Sequence, residues 1–399
     1  MSVWVTQGSG VSSTVTEGTT DTTAGTTGGE DALVSRRRVL RTGLNVGVCG
    51  ALVFGIGAEY VTPDGLGVIT HAMARPNPDS SDLVPRRKSV PADWHEEIRH
   101  AFTVQERLGE LELSPLLDSF VVPGTFDEPQ ASLSVSATDA GVEERLKSIA
   151  DPTPIDLEVL DDLPAAPEAA AESPEPYQLS ELDPEEIPGG IVCENGDGVA
   201  TLASALFEAD GDSRFFATSN HLYGDLGTKE TGHRGEPLSV LADDEAHHVG
   251  DVERGYPFAD VVTVAPHEGY RPSATIERAS PSRVIGQYTK VGLAELAARE
   301  EPLSKLGAMT DETSGRIEGI DGVTCFTGEV CRPGQFRWGD EDAFTDGDSG
   351  SIAFHADEDH PEDYLLVAGI NNARTWWPGA DFVWGTAGYR LLEEYGLHF

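Results

Sequence analysis

Short apolar runs separated by glycine, asparagine and aspartate dominate the chain from Ile187 to Phe399. Many short strands at intervals, with turn residues between them, indicate a β-sandwich or a β-barrel. Helical spacing is confined to Leu293–Arg299 and Tyr389–Tyr395, so the strand–helix alternation of a doubly wound α/β protein is missing. The pattern predicts an all-β fold with a C-terminal helix. The clearest apolar runs are Ala200–Phe207, Arg214–Thr218, Asp260–Val264, Ser351–Phe354, Tyr364–Ile370 and Phe382–Thr386.

The first 74 residues have the composition of a tail followed by an export signal. Residues 1–34 are rich in threonine, glycine and serine and have no hydrophobic periodicity, so we expect them to be disordered. Within residues 35–74, Arg36-Arg37-Arg38 precedes an uncharged stretch from Thr42 to Ala58, as in a twin-arginine export signal. Ala72-Met73-Ala74 is a small-residue candidate for cleavage. An uncleaved signal anchor and a chance basic patch are the alternatives.

Residues 75–186 are predicted to contain a structured segment and a linker. Ser132–Ser136 alternates like a strand, Ala140–Ile149 has helical spacing and Ile155–Leu160 alternates again, which predicts a small strand–helix–strand unit. Residues 151–186 contain no basic residue and include a stretch rich in proline and acid, typical of an extended, self-repelling linker. We interpret residues 75–186 either as a pro-region or as a structured extension, partly disordered in both cases, ahead of a domain at 187–399.

The chain carries 69 Asp and Glu against 27 Lys and Arg, a formal net charge of −42, and only five of its cations are lysines. This balance excludes a general nucleic-acid binder and a surface that adheres to anionic lipid, because both need clustered Lys and Arg. Self-repulsion on this scale destabilises a compact fold unless molar salt shortens the Debye length to about 3 Å. We therefore predict a salt-adapted protein of haloarchaeal type. The alternative is an ordinary acidic protein with acidic linkers.

Cysteine and histidine patterns predict no cofactor and no metal. Four cysteines are too few and too scattered for a disulfide framework or a zinc module. Cys325 and Cys331 are close enough to bridge a short loop, or they remain two buried thiols. His247-His248 follows acidic residues at 243–245, but adjacent residues of a strand point to opposite faces, which is poor geometry for one metal site.

The turn Thr345–Ser351 is the sharpest chemical signal in the chain. Ser349 lies between Asp348 and Gly350, with Gly347 two residues before it, so the turn can expose a hydroxyl beside free backbone N–H groups. Acyl transfer needs this arrangement, a nucleophile and donors aimed at the oxygen that becomes negative. The alternative is an ordinary Gly/Asp/Ser turn.

A serine nucleophile needs a base, and the base needs a carboxylate that orients it. His221 ends the apolar run that begins at Arg214, where a strand passes into a loop. Asp260 begins the run Asp260–Val264, at the mouth of a predicted buried strand. Taken singly, the histidine could be structural and the aspartate a solvated acid. Together with Ser349 they give the order His, Asp, Ser.

With these motifs, residues 187–399 resemble a serine protease of the chymotrypsin/trypsin type, in its microbial branch. Thr218–His221, Phe258–Val262 and Gly347–Ser351 resemble the histidine, aspartate and serine motifs of that family. The resemblance implies two six-stranded antiparallel β-barrels with the site between them. It also implies that Ser349 is the nucleophile, His221 the general base and Asp260 its orienting acid, with the Gly347 and Ser349 N–H groups as the oxyanion hole.

The resemblance also indicates where a substrate would bind. Ala343 would lie at the base of the specificity pocket, where the absence of an acid argues against a basic P1 side chain. Asn371 would also contact the substrate, and Trp376-Trp377, in the loop that follows, would either border the cleft or form a hydrophobic plug. The partner of Asp348, a freed N-terminus or an arginine, is left open.

The sequence as a whole predicts an exported, salt-adapted serine endopeptidase with a protein or peptide substrate. Its other expected partner is the twin-arginine export machinery, and it would touch a membrane only through an uncleaved signal. A catalytically idle relative that serves as a binding or surface protein is one alternative. An esterase that uses the same triad is the other.

Overall fold

The computed structural model describes residues 65–399 except 79, 111–115, 161–174, 210, 212, 225–232, 326–330 and 376–381. The predicted tail, the twin arginine and its apolar stretch, and Trp376-Trp377 lie outside the described residues. None of the helices in the described ranges is long and apolar enough to span a membrane.

The extension at residues 65–160 is built of strands and helices. The predicted strand–helix–strand unit is present as Ser132–Ala137, Glu143–Ala150 and Ile155–Val159, and its two strands are parallel. The helix Ala92–Glu110 forms because Trp94, Ile98 and Phe102 recur at a spacing of four and bury one face. The elements are β1 Leu66–Ala74, β2 Val84–Pro91, α1 Ala92–Glu110, β3 Leu116–Val122, β4 Ser132–Ala137, α2 Glu143–Ala150 and β5 Ile155–Val159.

The first barrel consists of six antiparallel strands. Its strands are β7 Val192–Glu194, β8 Val199–Thr201, β10 Arg214–Ser219, β11 Pro237–Ala242, β12 Glu245–Tyr256 and β13 Val261–Pro266, with β6 Ile187–Gly189 and β9 Leu206–Glu208 beside them. They pair in the order β8-β7-β11-β12-β13-β10. The Ala203 N–H donates to the Ala217 carbonyl at 2.8 Å, which joins the chain after β8 to β10 and closes the barrel.

The second barrel closes through one bent segment. The remaining elements are β14 Pro272–Ile276, β15 Arg283–Tyr288, α3 Lys290–Ala298, β16 Leu303–Gly307, β17 Asp311–Gly315, β18 Ile317–Thr324, β19 Arg332–Trp338, β20 Ile352–Ala356, β21 Tyr364–Arg374, β22 Val383–Ala387, α4 Gly388–Tyr395 and β23 Leu397–His398. The pairing order is β17-β16-β20-β21-β22-β19-β18. Only Arg316 separates β17 from β18, so the set closes on itself. The predicted all-β fold with a C-terminal helix is confirmed.

The extension continues the sheet of the second barrel. β1 pairs antiparallel with β15, and β3 pairs antiparallel with β18. A Cβ at Gly292 would lie 1.8 Å from the His71 carbonyl oxygen, and one at Gly286 would lie 2.2 Å from the Met73 oxygen. These two glycines therefore permit the close approach of β1. The cleavage candidate Ala72-Met73-Ala74 lies inside β1 and is buried.

Buried ion pairs also join the extension to the second barrel. Arg86 pairs with Asp357, whose side chain is fully buried, and Lys88 Nζ lies 2.9 Å from a Glu295 carboxylate oxygen in α3. A buried carboxylate without a cation is costly, so Asp357 depends on the extension for its charge balance, whereas Glu295 also pairs with Arg299 at the end of α3.

Cys325 and Cys331 form a disulfide, which resolves the choice left open by the sequence. Cys193 is a free thiol in the first barrel, and burial raises its pKa to about 12. A thiol with so high a pKa carries almost no thiolate at neutral pH and is unreactive.

Candidate active site

His221 and Asp260 meet at one end of the first barrel. β10 ends at Ser219 and continues into a short 3-10 turn, Asn220–Tyr223, that carries His221. Asp260 directly precedes β13, and Ser219 pairs with Val261 in the antiparallel ladder. The ends of β10 and β13 therefore lie side by side, with the histidine and the aspartate on adjacent chains.

The Asp260 carboxylate holds His221 through two contacts. One carboxylate oxygen lies 2.7 Å from His221 Nδ1, and the other accepts the His221 backbone N–H at 3.0 Å. A carboxylate on Nδ1 favours the tautomer that carries its proton there, which leaves Nε2 free to accept one. Asp260 is 2% exposed, whereas the His221 side chain is 22% exposed. The free nitrogen thus belongs to a ring that solvent or a ligand can reach.

Asp260 also has an uncommon backbone conformation. Its φ is +50°, in the left-handed region that non-glycine residues rarely adopt. Hydrogen bonds hold the segment there, since the Ala259 carbonyl accepts Thr386 Oγ1 at 2.6 Å and Asn372 Nδ2 at 3.0 Å. Both donors belong to the second barrel, so the two barrels together fix the aspartate.

The segment Gly347–Ser351, called the serine turn below, depends on glycine at two positions. Gly347 and Gly350 have φ of +95° and +91°, which strongly favour glycine. A Cβ at Gly350 would lie 2.3 Å from the Thr201 carbonyl oxygen and 3.1 Å from the Ser219 nitrogen. The turn therefore packs directly against the first barrel. One of the contacts is at Ser219, which precedes His221 by two residues.

Thr201, at the end of β8, anchors the serine turn. Its N–H donates to the Ser349 carbonyl at 2.8 Å, and its hydroxyl donates to the Gly347 carbonyl at 2.9 Å. Thr201 was not predicted as a site residue, since nothing in the sequence but its place in an apolar run marks it.

Within Gly347–Ser351, two N–H groups have no acceptor among the described residues, those of Gly347 and Ser349. The other three N–H groups of this segment are engaged: Asp348 N–H donates to the Thr345 carbonyl, Gly350 N–H to that of Asn371 and Ser351 N–H to that of Asp348, at 2.8–3.0 Å. These two unused donors are the ones that the resemblance assigned to an oxyanion hole.

The Ser349 hydroxyl donates to the Asn372 carbonyl at 3.2 Å. Within the described chain it makes no hydrogen bond to His221. A hydroxyl reaches another acceptor by a χ1 rotation between staggered positions. The backbone carbonyl of Asn372 thus holds Ser349, and its side-chain amide holds the segment that contains Asp260. The sequence gives no signal for this role beyond the position of Asn372 next to Asn371.

Lys305 is the partner of Asp348. Both side chains are fully buried, with Nζ 3.1 Å from Oδ2. The same carboxylate accepts Thr310 Oγ1 at 2.6 Å and the N–H groups of Met309 and Thr345 at 3.0 and 3.1 Å. Burial lowers the pKa of Lys305, and the Asp348 carboxylate opposes that shift. The residue next to the nucleophile is therefore fixed by an internal lysine and needs no freed N-terminus.

The two predicted substrate-binding residues are both buried. Ala343 is 3% exposed, and its carbonyl accepts Thr313 Oγ1 at 3.0 Å. The Asn371 side chain is fully buried: its oxygen accepts Trp338 Nε1 at 3.0 Å and its amide donates to Ser351 Oγ at 3.1 Å. Asn371 therefore supports the serine turn from behind, and its amide is already engaged within the protein.

Comparison with known proteins gives structural likeness alone. No family model and no curated protein matches the sequence. Similar solved structures include a glutamic acid-specific serine protease that utilises a histidine triad in substrate binding (18% identity, TM-score 0.39, 53% of this chain and 99% of that one). Thermobifida fusca Protease A (17%, 0.38, 53% and 97%) and Cellulomonas bogoriensis chymotrypsin (15%, 0.35, 54% and 98%) are others. At these identities and TM-scores the likenesses carry no functional argument.

Proposed function

We propose that this protein is an exported, salt-adapted serine endopeptidase that works through Ser349, His221 and Asp260. The observation that carries the proposal is the serine turn, which rests on the first barrel with two unused N–H groups close to the His221–Asp260 pair. Nucleophile, oriented base and oxyanion donors are the three components that acyl transfer needs.

In the first half of the reaction, the Ser349 hydroxyl leaves the Asn372 carbonyl and donates to His221 Nε2. Oγ attacks the carbonyl carbon of the peptide, and its proton passes to Nε2. The carbonyl oxygen becomes negative and accepts the Gly347 and Ser349 N–H groups, each worth about 3 kcal/mol of transition-state stabilisation. When the C–N bond breaks, the imidazolium gives its proton to the departing amine, and the acyl group remains as an ester on Ser349.

In the second half, water takes the place of the amine. His221 Nε2 removes a proton from a water molecule while the water oxygen attacks the ester carbon. The bond between that carbon and Ser349 Oγ then breaks, and the proton on His221 returns to Oγ. Asp260 stays ionised throughout and stabilises each imidazolium as it forms.

One observation favours a catalytically idle relative as a second candidate. The Ser349 hydroxyl donates to a backbone carbonyl and not to the histidine, so the nucleophile is not activated in this conformation. Hydrogen bonds of catalytic groups are often long or misdirected without substrate and tighten only in the complex. Reactivity toward a probe that needs an activated serine therefore separates the two candidates.

Fluorophosphonate labelling in molar salt tests the proposed function. We expect the folded wild-type chain to be labelled and Ser349→Ala to lose at least about 10³-fold in labelling rate, because the nucleophile itself is removed. Ser239→Ala, which alters a half-buried serine on β11, is the control and should label like wild type.

Three results would count against the endopeptidase. Equal labelling of wild type and Ser349→Ala would make the nucleophile assignment wrong. Absence of labelling in a folded wild-type chain would favour the idle relative. Turnover of ester substrates with no cleavage of peptides in the same salt would favour the esterase.

We further propose that the exported protein keeps the extension at residues 65–160. β1 lies between β2 and β15, and the acids Asp357 and Glu295 pair with cations of β2. Cleavage after Ala74 would release β1 from both neighbours, and removal up to Ile187 would leave both acids without those partners. The structured extension, one of the two interpretations of this segment, is the one these contacts support.

N-terminal sequencing and intact mass of the protein from the culture medium test this part. We expect a mature start ahead of Leu66, because β1 is buried between two strands. A start near Ile187–Ile191 would instead support a removable pro-region, and a start at Arg75 would show that β1 is dispensable. Absence of the protein from the medium would contradict export.

A further inference from the structure

A histidine–aspartate–histidine cluster lies on the first barrel, away from the candidate active site. His248 and Asp251 belong to β12, and His267 follows the last residue of β13. Asp260 stands just before the first residue of β13, so the six residues of that strand separate it from His267, a span of about 23 Å. The cluster is therefore at the opposite end of the barrel from the triad.

A β-bulge brings His248 and Asp251 together. Residues three apart in a regular strand point to opposite faces. In the β11–β12 ladder, however, Leu238 pairs with Gly250 while Ser239 pairs with His248, so β12 contains one extra residue there. Such a bulge re-aims the side chains beside it. In a regular strand His247 and His248 point to opposite faces, but the bulge brings His248 to Asp251, an acid outside residues 243–245.

The ligand-type atoms of the three side chains converge. His248 Nε2 lies 2.9 Å from one Asp251 oxygen, and His267 Nε2 lies 3.0 Å from the other. All three residues offer ligand atoms within 4.8 Å of one another. Bonds of about 2.0–2.1 Å from one central zinc to nitrogen and oxygen place tetrahedral ligands roughly 3.3 Å apart. The two nitrogen–oxygen separations are close to that value, and no pair of ligand atoms exceeds it by more than about 1.5 Å.

Access and charge favour a cation at this cluster. All three side chains are between a third and a half exposed, so an ion can enter and water can complete its coordination. Asp251 gives the cluster an acidic oxygen donor, in a chain whose formal net charge is −42. The His267 backbone is fixed as well, because its N–H donates to the Val249 carbonyl at 2.9 Å.

We propose that His248, Asp251 and His267 bind one Zn²⁺ or a similar divalent transition-metal ion. Two imidazole nitrogens and one carboxylate oxygen form a donor set that suits such ions and does not suit Mg²⁺ or Ca²⁺. The ion would fasten the end of β13 to the bulge of β12, which makes it a structural clamp on the first barrel. It takes no part in the proposed hydrolysis.

Calorimetric titration of the full chain with Zn²⁺ tests the site. The Ser349→Ala variant is the background, so that self-cleavage does not interfere and the result is independent of the proposed activity. We expect one ion per chain, and at least about tenfold weaker binding in His248→Gln and in His267→Gln, since each removes a ligand. His247→Gln, the neighbouring histidine on the same strand, is the matched control and should bind like the background.

Thermal unfolding gives a second measurement. Zn²⁺ should raise the unfolding midpoint of the background by several degrees and EDTA should reverse the rise, with neither effect in His248→Gln. The variants should unfold like the background without metal, because the side chains are at the surface. No binding, or binding that both ligand variants retain, would overturn the proposal. Binding abolished by His221→Ala but kept in His248→Gln would assign the ion to the triad instead.

Discussion

Replacing Asp260 with asparagine is expected to lower kcat about 10⁴-fold with little change in KM or in the unfolding midpoint. An asparagine oxygen can still accept the His221 backbone N–H that now reaches Oδ1, so the fold should survive. Its NH₂ group, however, would face Nδ1 as a donor, and the imidazole would then carry its proton on Nε2. In that tautomer His221 cannot accept the Ser349 proton.

Steady-state kinetics on a peptide substrate, with the rate of fluorophosphonate labelling alongside, measure this effect. Asp197→Asn removes one negative charge from an exposed position of the first barrel and is the matched control. It should act like wild type, which separates the tautomer effect from the change in net charge. An Asp260→Asn enzyme that keeps more than a tenth of wild-type kcat would contradict the role of the carboxylate.

Replacing Lys305 with methionine is expected to cost about 3–5 kcal/mol in the free energy of unfolding, the usual cost of leaving one partner of a buried pair alone. Asp348 would keep its hydrogen bonds from Thr310, Met309 and Thr345 but lose its only cation in the described chain. Because Asp348 precedes the nucleophile and sits between the two unused N–H groups, the labelling rate of Ser349 should fall as well.

Denaturant titration in constant molar salt measures the stability, and two further variants sharpen the result. Asp348→Asn in the Lys305→Met background should recover part of the lost stability, since no buried charge then remains. Lys290→Met removes the ammonium that lies 2.9 Å from Asp321, and the Lys290 side chain is 21% exposed. It should therefore cost clearly less. Equal losses for the two lysines would contradict a special role for the buried pair.

The candidate site was predictable to the extent that residue type and order reveal chemistry. Ser349, His221 and Asp260 could be chosen because a Gly-rich turn, a strand end and a strand start are local features. Thr201, Lys305 and Asn372 could not be chosen, because each acts through a contact between segments far apart in sequence. Asn371 was selected by its neighbourhood alone, and the orientation of its side chain is decided by Trp338 and Ser351.

The fold was predictable in its class and in the barrel strands, because turn residues mark their ends. β1 was not predicted: its apolar residues follow an apparent export signal, and the sequence offers only a cleavage tripeptide there. The strand is buried on both faces, so it lacks the alternation that identifies a half-buried strand. The cluster at His248 was not predicted for a similar reason. A bulge changes which side chains share a face of the strand, and the hydrophobic pattern of the sequence does not reveal it.

The pairing of β1 with β15 has a consequence for the order of events in folding. A hydrogen bond from Arg75 to Val284 spans 209 residues, and one from Thr289 to Thr70 spans 219. Contacts of such long range form late, since the entropy of closing the loop must be met before they contribute. β15 in turn pairs with β21, the strand that carries Asn371 and Asn372 behind Ser349. We therefore expect the proposed active site to be completed in one of the last steps of folding, when most of the chain has already been synthesised.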